Sequence, residues 1–138
     1  MPYEEEDIEW AGPDDALDGL SRAIIGAAIE VHRHLGAGLD ESLYESAMSH
    51  EMSLRGLRFM KQVIVPVTYK GEAIGDKRLD FIVENAVILE LKAVEEVSPV
   101  HKAQILTYLK ITHLKLGLLI NFNVAMLKDG IRRVVNSK

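Results

Sequence analysis

Three charged residues in the middle of the chain, Asp80, Glu90 and Lys92, have the types and spacing of a metal-assisted site. Side chains alternate between faces along a β-strand, so Glu90 and Lys92 point the same way if residues 88–92 form a strand. Two carboxylates one strand spacing apart repel each other unless a proton or a cation lies between them. A hard divalent ion is the usual solution in proteins. The pattern therefore indicates a carboxylate pair that binds a divalent ion beside an ammonium group.

The position of Asp80 in this group depends on the length of one turn. If residues 84–86 form a three-residue loop, Val83 pairs with Val87 and Asp80 lies directly across from Glu90. A two-residue loop would send Asp80 to the opposite face of the sheet, because a shift of one residue moves every side chain to the other side.

A simple surface ion pair is the alternative interpretation of Glu90 and Lys92. The surrounding segment, residues 87–94, is otherwise apolar, which is typical of a central strand that is covered on both faces. Charge is costly to bury in such a strand without a partner, so a functional reason for these two residues is favoured.

The composition limits the classes of protein to which this chain can belong. With 138 residues, 48% of them apolar, one domain with a single core is expected. There are no cysteines, so a metal would have oxygen or imidazole ligands, and Mg²⁺ or Mn²⁺ is the expected ion. No apolar run is long enough to span a membrane, and the acidic start does not resemble a secretory signal. A cytoplasmic location is therefore expected.

Charge is distributed unevenly along the chain. The formal net charge is -5, but eight of the 21 acidic residues precede Arg22, the first basic residue. The rest of the chain carries 16 basic and 13 acidic residues, a net charge of +3 that is compatible with a phosphate backbone. We expect residues 1–16 to be a disordered, solvated leader and residues 17–138 to form the domain. A regulatory or DNA-mimicking arm is the alternative for the leader.

Hydrophobic periodicity predicts an α-α-β-β-β-α-β-β order of elements. The predicted helices cover residues 17–35, about 40–54 and 99–112, and the predicted strands cover residues 62–69, 77–83, 87–92, 114–121 and 131–135. Pro66 cannot donate a ladder hydrogen bond, so it places the first strand at an edge or at a bulge. A helix at residues 99–112 can connect parallel strands, which favours a mixed sheet between helices.

Two motifs in this order of elements resemble those of a known family. The Asp80…Glu90-Leu91-Lys92 arrangement resembles the PD-(D/E)xK motif of restriction-endonuclease-like nucleases, although Leu79 occupies the position of the motif's proline. The segment Gly38-Leu39-Asp40-Glu41-Ser42-Leu43-Tyr44 is similar to the signature of the GxxExxY proteins of that superfamily. Further similarity is found at Val31-His32, Pro99-Val100-His101, Ala103-Gln104, Tyr108-Leu109-Lys110 and Leu118-Leu119-Ile120-Asn121-Phe122. The resemblance implies a three-layer α/β sandwich with a central mixed β-sheet flanked by helices.

The resemblance also implies roles for five residues in catalysis. Asp80 and Glu90 would bind Mg²⁺ or Mn²⁺, and Glu41 would be an additional acidic metal ligand from the second helix. Lys92 would orient or help to deprotonate the attacking water and stabilise charge on the phosphate. Gln104 would be the polar helix residue that often follows the strand of the motif.

Three further residues are candidates for the surroundings of the site. His101 and Tyr108 share one stripe of their predicted helix with Gln104, and that stripe can face the metal site. Tyr44 lies three residues after Glu41, where it can orient the carboxylate or contact the substrate. For Tyr44 an ordinary core position, and for His101 and Tyr108 a polar surface position, are equally compatible with the sequence.

The function that these features favour is divalent-metal-dependent hydrolysis of phosphodiester bonds in DNA or, second, in RNA. A catalytically silent nucleic-acid-binding or regulatory module that keeps the fold is the alternative. A protein-interaction partner that uses the acidic leader is a third hypothesis. The retained acids at positions 41, 80 and 90, with Lys92, favour catalysis. The sequence leaves both a monomer and a homodimer open.

Overall fold

A computed structural model describes residues 15–136, so the predicted leader lies almost entirely outside the described residues. The chain forms α1 (Asp15–Leu35), α2 (Glu41–Leu54), β1 (Phe59–Tyr69), β2 (Glu72–Val83), β3 (Val87–Lys92), α3 (Pro99–Thr112), β4 (Leu116–Asn121), a 3₁₀ turn (Leu127–Gly130) and β5 (Ile131–Val135). All eight predicted elements are present in the predicted order. No helix within residues 15–136 is long and apolar enough to cross a membrane.

The five strands form one mixed sheet in the order β1-β2-β3-β4-β5. Neighbouring strands are antiparallel except β3 and β4, which run parallel and are connected by α3. Pro66 lies on the edge strand β1, opposite Asp76, and the ladder shifts register just beyond it, between Val67 and Thr68. The predictions of an edge position and of a parallel pair joined by α3 are both confirmed.

Helices cover the sheet on both faces and give two separate apolar clusters. On one face α1 and α2 pack against the sheet through residues such as Ile24 and Met48, which contact the cluster containing Leu89 and Leu91. On the other face, the cluster around α3 contains Ile88 and Leu119 together with Ile105, Tyr108 and Leu109. This arrangement is the expected three-layer sandwich, and β3 and β4 lie at its centre.

The hairpin of β1 and β2 is longer than the sequence pattern predicts. β2 begins at Glu72 rather than near Lys77, although residues 72–78 are all exposed. A tight turn at Lys70 and Gly71, both with positive φ, joins Tyr69 to its partner Glu72 and fixes the register. Main-chain hydrogen bonds can extend a hairpin without buried side chains, so hydrophobic alternation underestimates its length.

Candidate active site

The turn between β2 and β3 has the predicted length of three residues. Val83 pairs with Val87, and the amide of Ala86 donates a hydrogen bond to the Val83 carbonyl at 3.0 Å. Glu84 and Asn85 have positive φ angles of 52° and 54°, which close the turn within this short loop. The predicted register of the two strands is therefore confirmed.

Beyond this hairpin, two carboxylates take the place of the next main-chain ladder bonds. The last regular pair is Phe81 with Leu89. One residue further on, the Asp80 amide donates to Glu90 Oε2 at 2.7 Å, and the Leu91 amide donates to Asp80 Oδ2 at 2.8 Å. Each carboxylate is thus anchored to the backbone of the opposite strand, which holds the two acids side by side.

A change of face in β1 and β2 explains why the ladder stops there. Phe81 packs in the cluster of α1 and α2, whereas Leu79, two residues earlier, packs in the cluster of α3. Regular alternation would place both on one face, so β2 turns over at Asp80. β1 is irregular at the same level, because Gln62 has a φ of 51° and makes no regular pair between Lys61 and Val63.

Burial and mutual repulsion make it unfavourable for Asp80 and Glu90 to be ionised at the same time. Glu90 is only 8% exposed, and burial together with the negative charge of Asp80 raises its pKa to about 7. Burial also raises the pKa of Asp80. The hydrogen bond from the Leu91 amide lowers this pKa, whereas the negative charges of Glu45 and Glu41 raise it. A nearby positive charge would relieve this repulsion.

Lys92 supplies one such charge at the end of β3. Its ammonium group favours the ionised forms of Asp80 and Glu90 and so opposes the rise in their pKa values. Lys92 pairs with Asn121 of β4, and the Asn121 side chain bonds the amide and the carbonyl of Val94 at 3.0 and 2.9 Å. These bonds fix the chain directly after Lys92.

Two residues near the pair, Glu45 and Gln62, were not predicted from the sequence. Glu45 lies one helical turn after Glu41 on α2, and Gln62 Nε2 donates a hydrogen bond to Glu45 Oε2 at 2.5 Å. Gln62 occupies the irregular position of β1 beside Asp80, so this bond links the helix to the sheet at the acid pair. The four-residue spacing of the two glutamates was a usable signal, whereas nothing in the sequence marked Gln62.

The charge of Glu41 acts on the pair from the start of α2. Its side chain is exposed, yet its negative charge raises the pKa values of both Asp80 and Glu90. Within residues 15–136, no group of three or more His, Cys, Asp or Glu side chains is close enough to hold a metal. The role of Glu41 as a metal ligand stays a prediction.

The predicted stripe of α3 is divided among different environments. His101 caps the helix, since its Nδ1 accepts a hydrogen bond from the Ser98 amide at 3.1 Å. Gln104 is exposed and lines a cleft, and within the described part of the chain no hydrogen bond joins it to the acid pair. Tyr108 is 7% exposed, and burial with the charges of Glu90 and Asp80 raises its pKa. Tyr108 is therefore the residue of this stripe whose ionisation is affected by the acid pair.

Tyr44 is fully buried and fixes the loop before α2. Its hydroxyl donates to the Gly36 carbonyl at 2.6 Å and accepts from the Leu39 amide at 3.2 Å. Its ring stacks on Phe122, with 4.5 Å between ring centroids. Tyr44 thereby positions the start of the helix that carries Glu41 and Glu45, and its hydroxyl bonds the loop rather than a carboxylate.

A mixed sheet between helices, with two acids and a lysine where two strands separate, is the arrangement of the restriction-endonuclease-like fold. A sequence profile of the PD-(D/E)XK nuclease superfamily matches residues 18–134, and the chain belongs to that superfamily. Comparison with curated proteins finds no match, and comparison with solved structures also finds none.

Proposed function

We propose that this protein is a divalent-metal-dependent nuclease that hydrolyses phosphodiester bonds, with DNA favoured over RNA as the substrate. The observation that carries the proposal is the reciprocal anchoring of Asp80 and Glu90 on each other's strands, with Lys92 beside them. A sheet whose purpose is only structural gains nothing from two repelling carboxylates at its centre, since apolar residues would pack there without desolvated charge.

The chemistry of the donor set fits a hard cation. Asp80 and Glu90 each use one carboxylate oxygen to accept an amide hydrogen bond, and among the described residues their other oxygens have no hydrogen-bond partner. Two carboxylates, completed by water and substrate phosphate oxygens, are a common set of ligands for Mg²⁺. Asp80 and Glu90 would hold Mg²⁺ or Mn²⁺, which when bound supplies positive charge that acidifies a water and neutralises the phosphate.

The chain's own residues then have separate tasks in the hydrolysis. The backbone amides of Asp80 and Leu91 hold the two carboxylates in fixed orientations, so little reorganisation is needed when the substrate binds. Lys92 places its ammonium group near the phosphate and stabilises the negative charge that grows as the water attacks. The hydrogen bond between Gln62 and Glu45 keeps a further carboxylate close to Asp80, where it can orient water or accept a proton.

Within the superfamily, we assign the chain to the GxxExxY proteins. The support is the role of the segment from Gly38 to Tyr44, which begins in a loop and ends in the buried tyrosine that fixes that loop. Gly38 has a φ of 97°, a conformation that favours glycine. The residues of the signature therefore fix the loop before α2 and so position Glu41 and Glu45 relative to the sheet.

One chain is proposed to contain the complete site. Asp80, Glu90 and Lys92 all come from one hairpin, so the chemistry does not require a homodimer, and a dimer would serve to grip the substrate. The nuclease-like domain is proposed to start near residue 17, after an acidic leader, and to act in the cytoplasm. Glu41 is proposed as a further ligand that approaches once a cation offsets its repulsion by the pair.

The test compares Asp80→Ala, Glu90→Ala and Lys92→Ala with the wild type in two measurements. Calorimetric titration with Mn²⁺ should show weakened binding for the two carboxylate variants, which lose an oxygen ligand. Lys92→Ala should bind Mn²⁺ at least as well as the wild type, because a repelling cation is removed. Cleavage of plasmid DNA with Mg²⁺ should be abolished in all three and in wild type treated with EDTA.

Matched preparations control for contaminating nucleases, which would act equally in all four samples. Equal cleavage by wild type and Lys92→Ala would contradict catalysis at this site. Absence of Mn²⁺ binding by the wild type at millimolar concentration would also contradict it, and would favour the silent nucleic-acid-binding module.

A further inference from the structure

A cleft of about 280 Å³ opens between α3 and the outer half of the β1–β2 hairpin. Its walls are largely apolar, and Lys77, Gln104 and Thr107 contribute exposed polar side chains to them. The lining side chains that matter here are Val67, Lys77, Val100, Gln104, Tyr108 and Ile111. Asp80, Glu90 and Lys92 do not line this cleft, whereas Gln104, the polar helix residue that the family resemblance implies, does.

The cleft lies on the same side of the sheet as the reactive groups. Ile88 packs in the cluster of α3, so strand alternation places Glu90 and Lys92 on that same face. Tyr108 belongs to both regions, because it lines the cleft and packs in the same cluster as Ile88, two residues before Glu90 on β3. A ligand in the cleft would therefore lie beside the acid pair.

The lining has the chemistry that a nucleobase requires. The flat apolar faces of a base can pack between α3 and Val67 of β1, against the ring of Tyr108. Gln104 offers both a hydrogen-bond donor and an acceptor for the polar edge of the base, and the described residues form no hydrogen bond with its side chain. The exposed ammonium of Lys77 can bind the phosphate attached to that base.

We propose that this cleft binds one unpaired base of the nucleic-acid substrate, next to the phosphate bond that is hydrolysed. This inference rests on the proposed nuclease function and deepens it. A base inside a duplex is paired and stacked, so it cannot enter a cleft of this kind without leaving the helix. The preferred substrate is therefore a single strand, or an end, loop or gap where a base is already unstacked.

The first test fills the cleft and measures binding of two forms of one substrate. All proteins carry Asp80→Asn, which stops cleavage and keeps an oxygen that can accept the Leu91 hydrogen bond. Ala103→Trp changes an exposed side chain that lines the cleft, so the fold should survive. Fluorescence anisotropy is measured with a labelled single-stranded 12-mer of mixed sequence and with its duplex.

Ala103→Trp should weaken binding of the single strand about tenfold, the scale of one lost base-stacking contact, and leave duplex binding unchanged. The matched control is Ser53→Trp, a change of similar size at an exposed position near the end of α2, about two turns beyond Glu45. The control should bind both forms like the parent. Unchanged binding of the single strand by Ala103→Trp would overturn the inference, as would an equal loss for both forms.

A second variant tests the recognition of the base itself and does not depend on the tryptophan. Gln104→Ala should weaken binding of the single strand about fivefold, and should not change binding of an abasic strand of the same length. An equal loss for the normal and the abasic strand would show that Gln104 contacts only the backbone, and would overturn the assignment of its amide to the base edge.

Cleavage by the chain with Asp80 intact separates this inference from the proposed function. If cleavage that depends on Asp80 is present but single-strand binding ignores Ala103→Trp, the cleft inference fails and the nuclease proposal stands. If Ala103→Trp weakens single-strand binding but no cleavage depends on Asp80, the cleft stands as a base-binding site in a silent module. If the parent binds no nucleic acid, the cleft inference fails.

Discussion

β3 and β4 are parallel neighbours of six residues each at the centre of the sheet. They are similarly buried but differ in the charge of the side chains that they carry. All six residues of β4 are buried, and its only polar side chain, Asn121, bonds the main chain of Val94. β3 is as buried at its first five positions but carries Glu90 opposite Leu119 and Lys92 opposite Asn121. The same environment therefore holds a packing residue on one strand and a charged group on the other.

The neighbouring strand on the far side of β3 explains the difference. β4 is flanked by β3 and β5 with a regular ladder on both sides. β3 is flanked by β2, which turns over at Asp80 and leaves two amides for carboxylates to bind. A buried charge is tolerated where the backbone supplies hydrogen bonds, so the irregularity in β2 makes the acidic site possible.

The largest expected effect is on the reaction rate of Glu90→Gln. Glutamine has nearly the same shape and can still accept the Asp80 amide, but it lacks the charge that binds a cation. We expect cleavage to slow by about a thousandfold, or ~4 kcal/mol in activation free energy, with the fold retained. Initial rates at saturating Mg²⁺ and a circular dichroism spectrum check this. A fall of less than threefold would remove Glu90 from the reaction.

Opposite Glu90, Leu119→Ala should give the reverse pattern. Leu119 is fully buried in the cluster of α3, so truncation leaves a cavity and should lower the free energy of unfolding by about 3 kcal/mol. The rate per folded molecule, measured well below the melting temperature, should stay within about threefold of wild type. Loss of rate without loss of stability would mean that β4 takes part in the chemistry, which would contradict a purely structural role for Leu119.

The pH dependence of stability should differ between the wild type and Glu90→Gln in EDTA. The pKa of Glu90 is about 7 in the folded chain against 4.5 for the ordinary side chain, so the unfolded state binds fewer protons between these values. The unfolding free energy should therefore fall as pH rises from 4.5 to 7, by up to about 3 kcal/mol, and level off above 7. Urea unfolding at pH 5 and pH 8 measures this fall.

The variant controls for all other groups that titrate in the same range. Glu90→Gln should lack this part of the pH dependence. The unfolding free energy of the variant minus that of the wild type should therefore be larger at pH 8 than at pH 5. Leu119→Ala should keep the wild-type slope, since it removes no titrating group. Parallel curves for wild type and Glu90→Gln would show that Glu90 ionises normally.

The smallest expected effect is that of Gln62→Ala. Losing the bond to Glu45 should lower the cleavage rate by about fivefold, or ~1 kcal/mol, because a carboxylate near Asp80 loses its fixed position. Gln62 acts through Glu45, so Glu45→Ala should abolish the further effect of Gln62→Ala in a double-mutant cycle. The Michaelis constant should change little. Additive effects of the two changes would contradict this positioning role.

The secondary-structure elements and the register at the site can be predicted from local sequence patterns. Helical periodicity, the apolar strand of β3 and the turn at residues 84–86 are local signals, and local hydrogen bonding and alternation are enough to interpret them. β3, α3 and β5 have the predicted boundaries. The adjacency of Asp80 and Glu90 followed from counting across that turn, because a hairpin converts sequence separation directly into distance.

The residues that surround the acid pair depend on long-range packing. The bond between Gln62 and Glu45 joins two elements that no local pattern relates, and it exists because β1 and β2 change face at the same level. The three residues of the α3 stripe also differ because of long-range packing. His101 bonds the start of its own helix, Gln104 lines a cleft, and Tyr108 is affected by the charges of the acid pair. A helical face predicts which side chains lie together, whereas the partners that they meet depend on strand packing across the whole sheet.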